Sequence, residues 1–115
     1  MIKQQGEVKI IKLESFPATG LQAATMETDS LGNQIVSHSE KGHHHVVDSD
    51  VELLEQIEDV PAGMRVLYAV VEKATALSQT ASQAHEAIDL DPGVYSFRIQ
   101  REYNPFLEEA RQVND

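Results

Sequence analysis

Four of the five histidines lie between positions 38 and 45, at His38, His43, His44 and His45, and the fifth is His85. On an extended strand, residues two apart point to the same face. His43 and His45 therefore offer parallel imidazoles, while His44 points the other way. Two parallel imidazoles are a natural start for a metal site, and neutral imidazole suits Zn, Fe, Mn and Ni alike. His85 closes a three-ligand site if its own strand lies beside the first. Water at the open positions of such a metal is more acidic than bulk water, hence nucleophilic or displaceable by substrate. Glu86, Glu40 and Asp48 are the carboxylates near enough in sequence to act as fourth ligand, as outer-sphere orienter or as general base. Glu86 is favoured because it adjoins a proposed ligand, although consecutive strand residues face opposite ways.

Two plainer readings stand beside this one. Histidines clustered at a turn are often solvated surface residues, and several of them beside Glu40 and Asp48 make a surface that titrates near pH 6.5. Other chemistry is thinner. Ser37, Ser39 and Ser49 sit near the histidines, but no Gly-x-Ser-x-Gly elbow accompanies them, and no glycine-rich phosphate or dinucleotide fingerprint is present. The chain has no cysteine, which removes thiolate nucleophiles, disulfides and zinc–thiolate sites. Arg98, Arg101, Glu102 and Tyr103 form a polar group that suits carboxylate recognition or, more simply, a surface ion pair at the end of a strand. The lack of a recognisable catalytic constellation leans the reading away from an enzyme.

The elements that must position these histidines read mostly as strands. Glu7 to Glu14 alternates apolar with charged residues, as a half-buried strand does. Leu21 to Glu40 reads as a hairpin around Asp29-Ser30-Leu31-Gly32-Asn33, where Gly and Asn supply positive φ. His43 to Val47 is the histidine-bearing strand. Val51 to Ile57 matches a helical period over two turns but is short and is followed by the turn signal Val60-Pro61-Ala62-Gly63, so strand is preferred over helix. Met64 to Glu72 reads as a strand buried on both faces and Ala74 to Leu77 as an edge strand, followed by a loop at Ser78 to Ala84. Asp89 to Gly93 is a turn, after which Tyr95, Phe97 and Ile99 alternate with Ser96, Arg98 and Gln100 in the clearest strand pattern of the chain. Asn104-Pro105 suits a helix start, with Phe106, Leu107, Ala110 and Val113 on one face of a short helix over 104–113 that must dock to persist. Short strands between regularly spaced turns predict an all-β small barrel or sandwich, closed by that C-terminal helix.

With 115 residues, of which 41% are hydrophobic and 24% charged, the chain suits one core, so residues 1–115 are expected to form a single β domain. Nineteen acidic against nine basic residues give a formal charge of −10, which repels phosphate backbones and anionic membranes. Nucleic acid and membrane are thus disfavoured as partners; a cationic metal or a basic protein surface suits the charge better, and a protein partner or homo-oligomer stays open. No stretch approaches the roughly eighteen apolar residues of a membrane span, and Met1 to Glu7 lacks a signal-peptide run. The expected location is the cytoplasm.

From Gly42-His43-His44-His45-Val46-Val47 onward the chain resembles a set of small uncharacterised bacterial and phage proteins that carry a Gly-His-x-His segment. The likeness continues through Tyr68-Ala69-Val70-Val71, through His85-Glu86-Ala87-Ile88-Asp89-Leu90-Asp91-Pro92-Gly93-Val94-Tyr95, and through Gln100-Arg101-Glu102-Tyr103. It implies a common small β fold without an assigned activity, in a bacterium or a phage-infected host. A looser similarity is to cupins, whose double-stranded β-helix holds metal through a His-x-His pair, a Glu and a distant His. His43, His45 and His85 match three of those roles, whereas Ser49 or Asp50 stands where the cupin glutamate falls. The similarity implies a cupin-like metal-binding barrel with a three-His site. The alternative is a non-enzymatic structural or interaction module, such as a phage accessory or virion protein, with incidental histidines.

Overall fold

The structure, a computed structural model, describes residues 1–16, 19–38, 44–79 and 87–100. Every regular element in these residues is a strand: β1 (Ile2–Gln5), β2 (Val8–Leu13), β3 (Leu21–Ala23), β4 (Gln34–Ser37), β5 (His45–Val47), β6 (Glu52–Gln56), β7 (Met64–Val71), β8 (Thr75–Gln79), β9 (Ile88–Leu90) and β10 (Gly93–Gln100). They form a six-stranded sheet in the order β1-β2-β10-β7-β6-β3 and a four-stranded sheet in the order β4-β5-β8-β9. The fold is all-β, as expected. Among the described residues neither sheet closes on itself, so the architecture is a pair of open antiparallel sheets and the barrel alternative is set aside.

Alternation explains the core. In β10, Tyr95, Phe97 and Ile99 are buried while Arg98 and Gln100 are exposed. Phe97 stands opposite Ile10 of β2 on one side and Leu67 of β7 on the other, and Ile99 opposite Val8. These inward residues meet Val36, Val47, Leu77 and Leu90 from the smaller sheet in one buried cluster. Fully burying a side chain such as Phe97 contributes about 1.5–3 kcal/mol. The outer face is not wholly exposed: Ser96 is only 3% exposed, opposite the buried Tyr68.

Several expectations change once pairing is known. Leu21 to Glu40 is not a hairpin, because β3 pairs with β6 and β4 with β5. The turn itself is real, tied by Asp29 N to Asn33 O and by Gly32 N to Asp29 O, with one bridge between Thr28 and Gln34. Turn chemistry is local, whereas the sheet a strand joins is decided by where its apolar face finds cover. β8 is no edge: it lies between β5 and β9, and its Leu77 is fully buried. It also runs through Ser78 and Gln79, the start of the expected loop. β9 occupies part of the Asp89–Gly93 segment, leaving Asp91 and Pro92 to make the turn. The Tyr95 hydroxyl donates to the Asp91 carbonyl at 2.7 Å across that turn. The expected helix over 104–113 lies outside the described residues. No helix among the described residues is long and apolar enough to cross a membrane.

Candidate functional site

The site begins in a tight turn. β1 and β2 pair with Gln5 opposite Val8, which leaves Gly6 and Glu7 as a two-residue loop. Gly6 has φ of +57°, the positive value that the first position of a II′ hairpin turn demands. The turn leans against the smaller sheet, and a Cβ built at Gly6 would sit 3.0 Å from His45 Nε2. Only a bare backbone allows this approach.

On the opposing sheet, β4 and β5 carry Ser37 and His45 directly across from each other. The register shifts between Ile35 and Ser37, so Val36 is the extra residue of a bulge. Bulges re-aim side chains; here Val36 goes to the core while Ser37 and His45 both reach the hairpin turn. His45 shares its face with Val47 and is 1% exposed. Burial of the histidine runs against the solvated-surface reading.

Four side chains then connect the two sheets. His45 Nδ1 lies 2.7 Å from Gln5 Oε1, and Gln5 Nε2 donates to the Leu77 carbonyl at 3.2 Å. That second bond fixes the amide orientation, so an acceptor faces Nδ1 and the nitrogen carries its proton there. His45 Nε2 lies 3.2 Å from Glu7 Oε2. Ser37 Oγ donates to the other carboxylate oxygen, Glu7 Oε1. Partial burial pushes the Glu7 carboxyl up, but the hydrogen bonds from Ser37 and its own amide, with the charge and hydrogen bond of His45, more than offset this and hold it below its ordinary value. A carboxylate held this acidic is a poor general base at neutral pH, and a good place for a cation or an imidazolium.

Of the residues singled out by sequence, the structure places His45 at the centre of this group. Asp48 is turned elsewhere: its Oδ2 accepts from Thr75 Oγ at 2.6 Å and its Oδ1 from the Asp50 amide at 2.9 Å. His44 points away from His45, as alternation requires, and its ring meets that of His38 edge-on at 4.8 Å. His38 in turn lies 3.0 Å from Glu27 Oε2 in an exposed pair. His43, His85, Glu40 and Glu86 lie outside the described residues. Among the described residues no three His, Asp or Glu side chains come together as a metal-holding group. Gln5 and Glu7 are the residues sequence reasoning missed. Their signal was Gly6, a glycine between two polar residues at the head of an alternating run.

Residues 4–100 match the model of a family described as a domain of unknown function (DUF8820). No curated protein and no solved structure matches the chain.

Proposed function

The chain belongs to this family of unknown function, and from its own residues we propose that it is a small metal-binding β domain, acting by binding and not by turnover. Its ligands are His43, His45 and His85, and its cation is divalent: Zn, Fe, Mn or Ni. The observation that supports this is the ring of His45, with Nδ1 anchored on Gln5 and Nε2 directed at a carboxylate. Histidines that ligate metals almost always donate their other ring N–H to such an anchor, which fixes tautomer and direction together. The chain's charge of −10 favours a cation over an anionic ligand.

A second reading is a structural or interaction module, such as a phage accessory or virion protein. It is favoured by β1, a strand at the edge of the larger sheet whose Ile2 is 67% exposed. Exposed edges with apolar side chains are ready to pair with another chain. In either reading the protein works in the cytoplasm of a bacterium or phage-infected host, with the virion as a further location in the second.

One preparation tests both. Tag-free protein is analysed for metal and for mass in solution, alongside His45→Ala. Stoichiometric metal in the parent that is lost from the variant is the expected result. Metal-free protein that assembles into large particles rejects the metal reading and favours the module.

A further inference from the structure

We propose that the outer face of the six-stranded sheet is the docking surface for this chain's own C-terminal segment, with residues 104–113 lying as a short helix along β10 and β7 through Phe106, Leu107, Ala110 and Val113. The proposal is independent of whether His45 holds a metal.

The face is apolar where solvent would favour polar residues. Strand register fixes which side chains share it: Ile2, Ile11, Ser96, Tyr68 and Leu54 stand in line across β1, β2, β10, β7 and β6. Alternation along β7 puts Val66 and Val70 on the same side as Tyr68. None of these residues belongs to the buried cluster that joins the two sheets. Yet Val66 and Ser96 are each only 3% exposed and Tyr68 only 7%. Every described strand outside this sheet belongs to the smaller one, which packs on the opposite face. Contiguous apolar surface of this kind marks a place that something covers.

The course of the chain selects the occupant. β10 lies inside the sheet, between β2 and β7, and its last residue, Gln100, stands opposite Met64 at the start of β7. Residues 101–115 follow directly. Three extended residues, 101–103, reach about 10 Å, which is the spacing of packed layers. Ten helical residues are about 15 Å long. Running back along β10, they cover four or five strand residues at about 3.4 Å each. That stretch reaches Ser96 on β10 and, across from it, Val66 and Tyr68 on β7. These are the buried positions, whereas Val94 and Val70, further along, are only half-buried. Burial thus falls off where a helix of that length ends. Charge fits as well: Arg98 and Lys9 are exposed and directly opposite each other, a positive pair in a chain of charge −10. On a helix Glu109 borders the stripe of Phe106, Ala110 and Val113, so its carboxylate complements that pair. A helix this short does not persist alone, and the face supplies the cover it needs.

Nuclear Overhauser contacts in the full chain of unaltered sequence, labelled at Val and Leu methyls and at Phe, test the docking directly. Contacts are expected from Phe106, Leu107 and Val113 to Val66, Val70 and Leu54. Mixing labelled with unlabelled chains separates contacts within one chain from contacts between two. In parallel, Phe106→Ala should lower the melting temperature by at least about 5 °C, while Glu108→Ala, on the opposite side of the helix, should stay within about 2 °C of the parent. Random-coil shifts throughout 101–115 with no contact to the sheet overturn the proposal, as does Phe106→Ala melting together with the parent. Contacts that arise only between chains overturn it too, and give the face to a second copy.

Discussion

At Gly6 a missing side chain makes room for a ring. Its φ of +57° alone disfavours other residues, and the 3.0 Å approach to His45 Nε2 adds a steric demand. Gly32 offers the comparison, since it has φ of +86° but nothing within 4 Å of an added Cβ. Gly32→Ala should therefore cost only the left-handed strain, about 1–2 kcal/mol. Gly6→Ala should cost that and at least about 1 kcal/mol more, because the His45 ring is braced by Gln5 and cannot swing aside without losing a buried hydrogen bond. Urea unfolding of the two variants measures the difference; equal losses would show that the turn does not press on the ring. The sequence announced His45 through its two-residue spacing but not its neighbours. Gln5 and Glu7 lie 40 and 38 residues away along the chain, and only the packing of one sheet on the other joins them.

Among the elements, β10 and β7 were legible because their apolar residues alternate or run unbroken, and such patterns depend on the strand alone. Pairing partners were not. β3 and β4 flank a turn whose residue types announce it, yet they enter different sheets. The turn's stability is nonetheless local and open to a pH test. Asp29 Oδ1 accepts from the Leu31 and Asn33 amides, both at 2.9 Å, and Oδ2 from the Asn33 side chain at 3.3 Å. Desolvation pushes the Asp29 carboxyl up, but the bonds from Asn33, Leu31 and Gly32 outweigh it and leave it below its ordinary value. A carboxylate more acidic when folded stabilises the fold above its unfolded pKa of about 3.9, and that contribution fades as pH falls through the folded value. Asp29→Ala should accordingly melt earlier than the parent at pH 7, and the gap should close in progressively more acidic buffer. A gap independent of pH would assign the loss to the alanine backbone and not to the carboxylate.

For the whole molecule, the class of fold followed from turn spacing, but the choice between barrel and open sheets did not. Closure depends on register and strand order, which no local pattern encodes. The arrangement gives the candidate site a global role. Gln5 and Glu7 come from the larger sheet, and Ser37, His45 and the Leu77 carbonyl from the smaller one. An ion held there would add to the side-chain hydrogen bonds and apolar contacts that already join the two layers, so its binding must appear in the unfolding of the entire domain. A ligand that binds only the folded state at a hundred times its dissociation constant adds about 2.7 kcal/mol. For a domain of this size that raises the melting temperature by roughly 10 °C. Zinc should produce such a rise in the parent protein and none in His45→Ala. An equal rise in both would place the bound ion away from the junction between the sheets, whereas a second, early transition that zinc alone shifts would mean the first hairpin unfolds separately from the core.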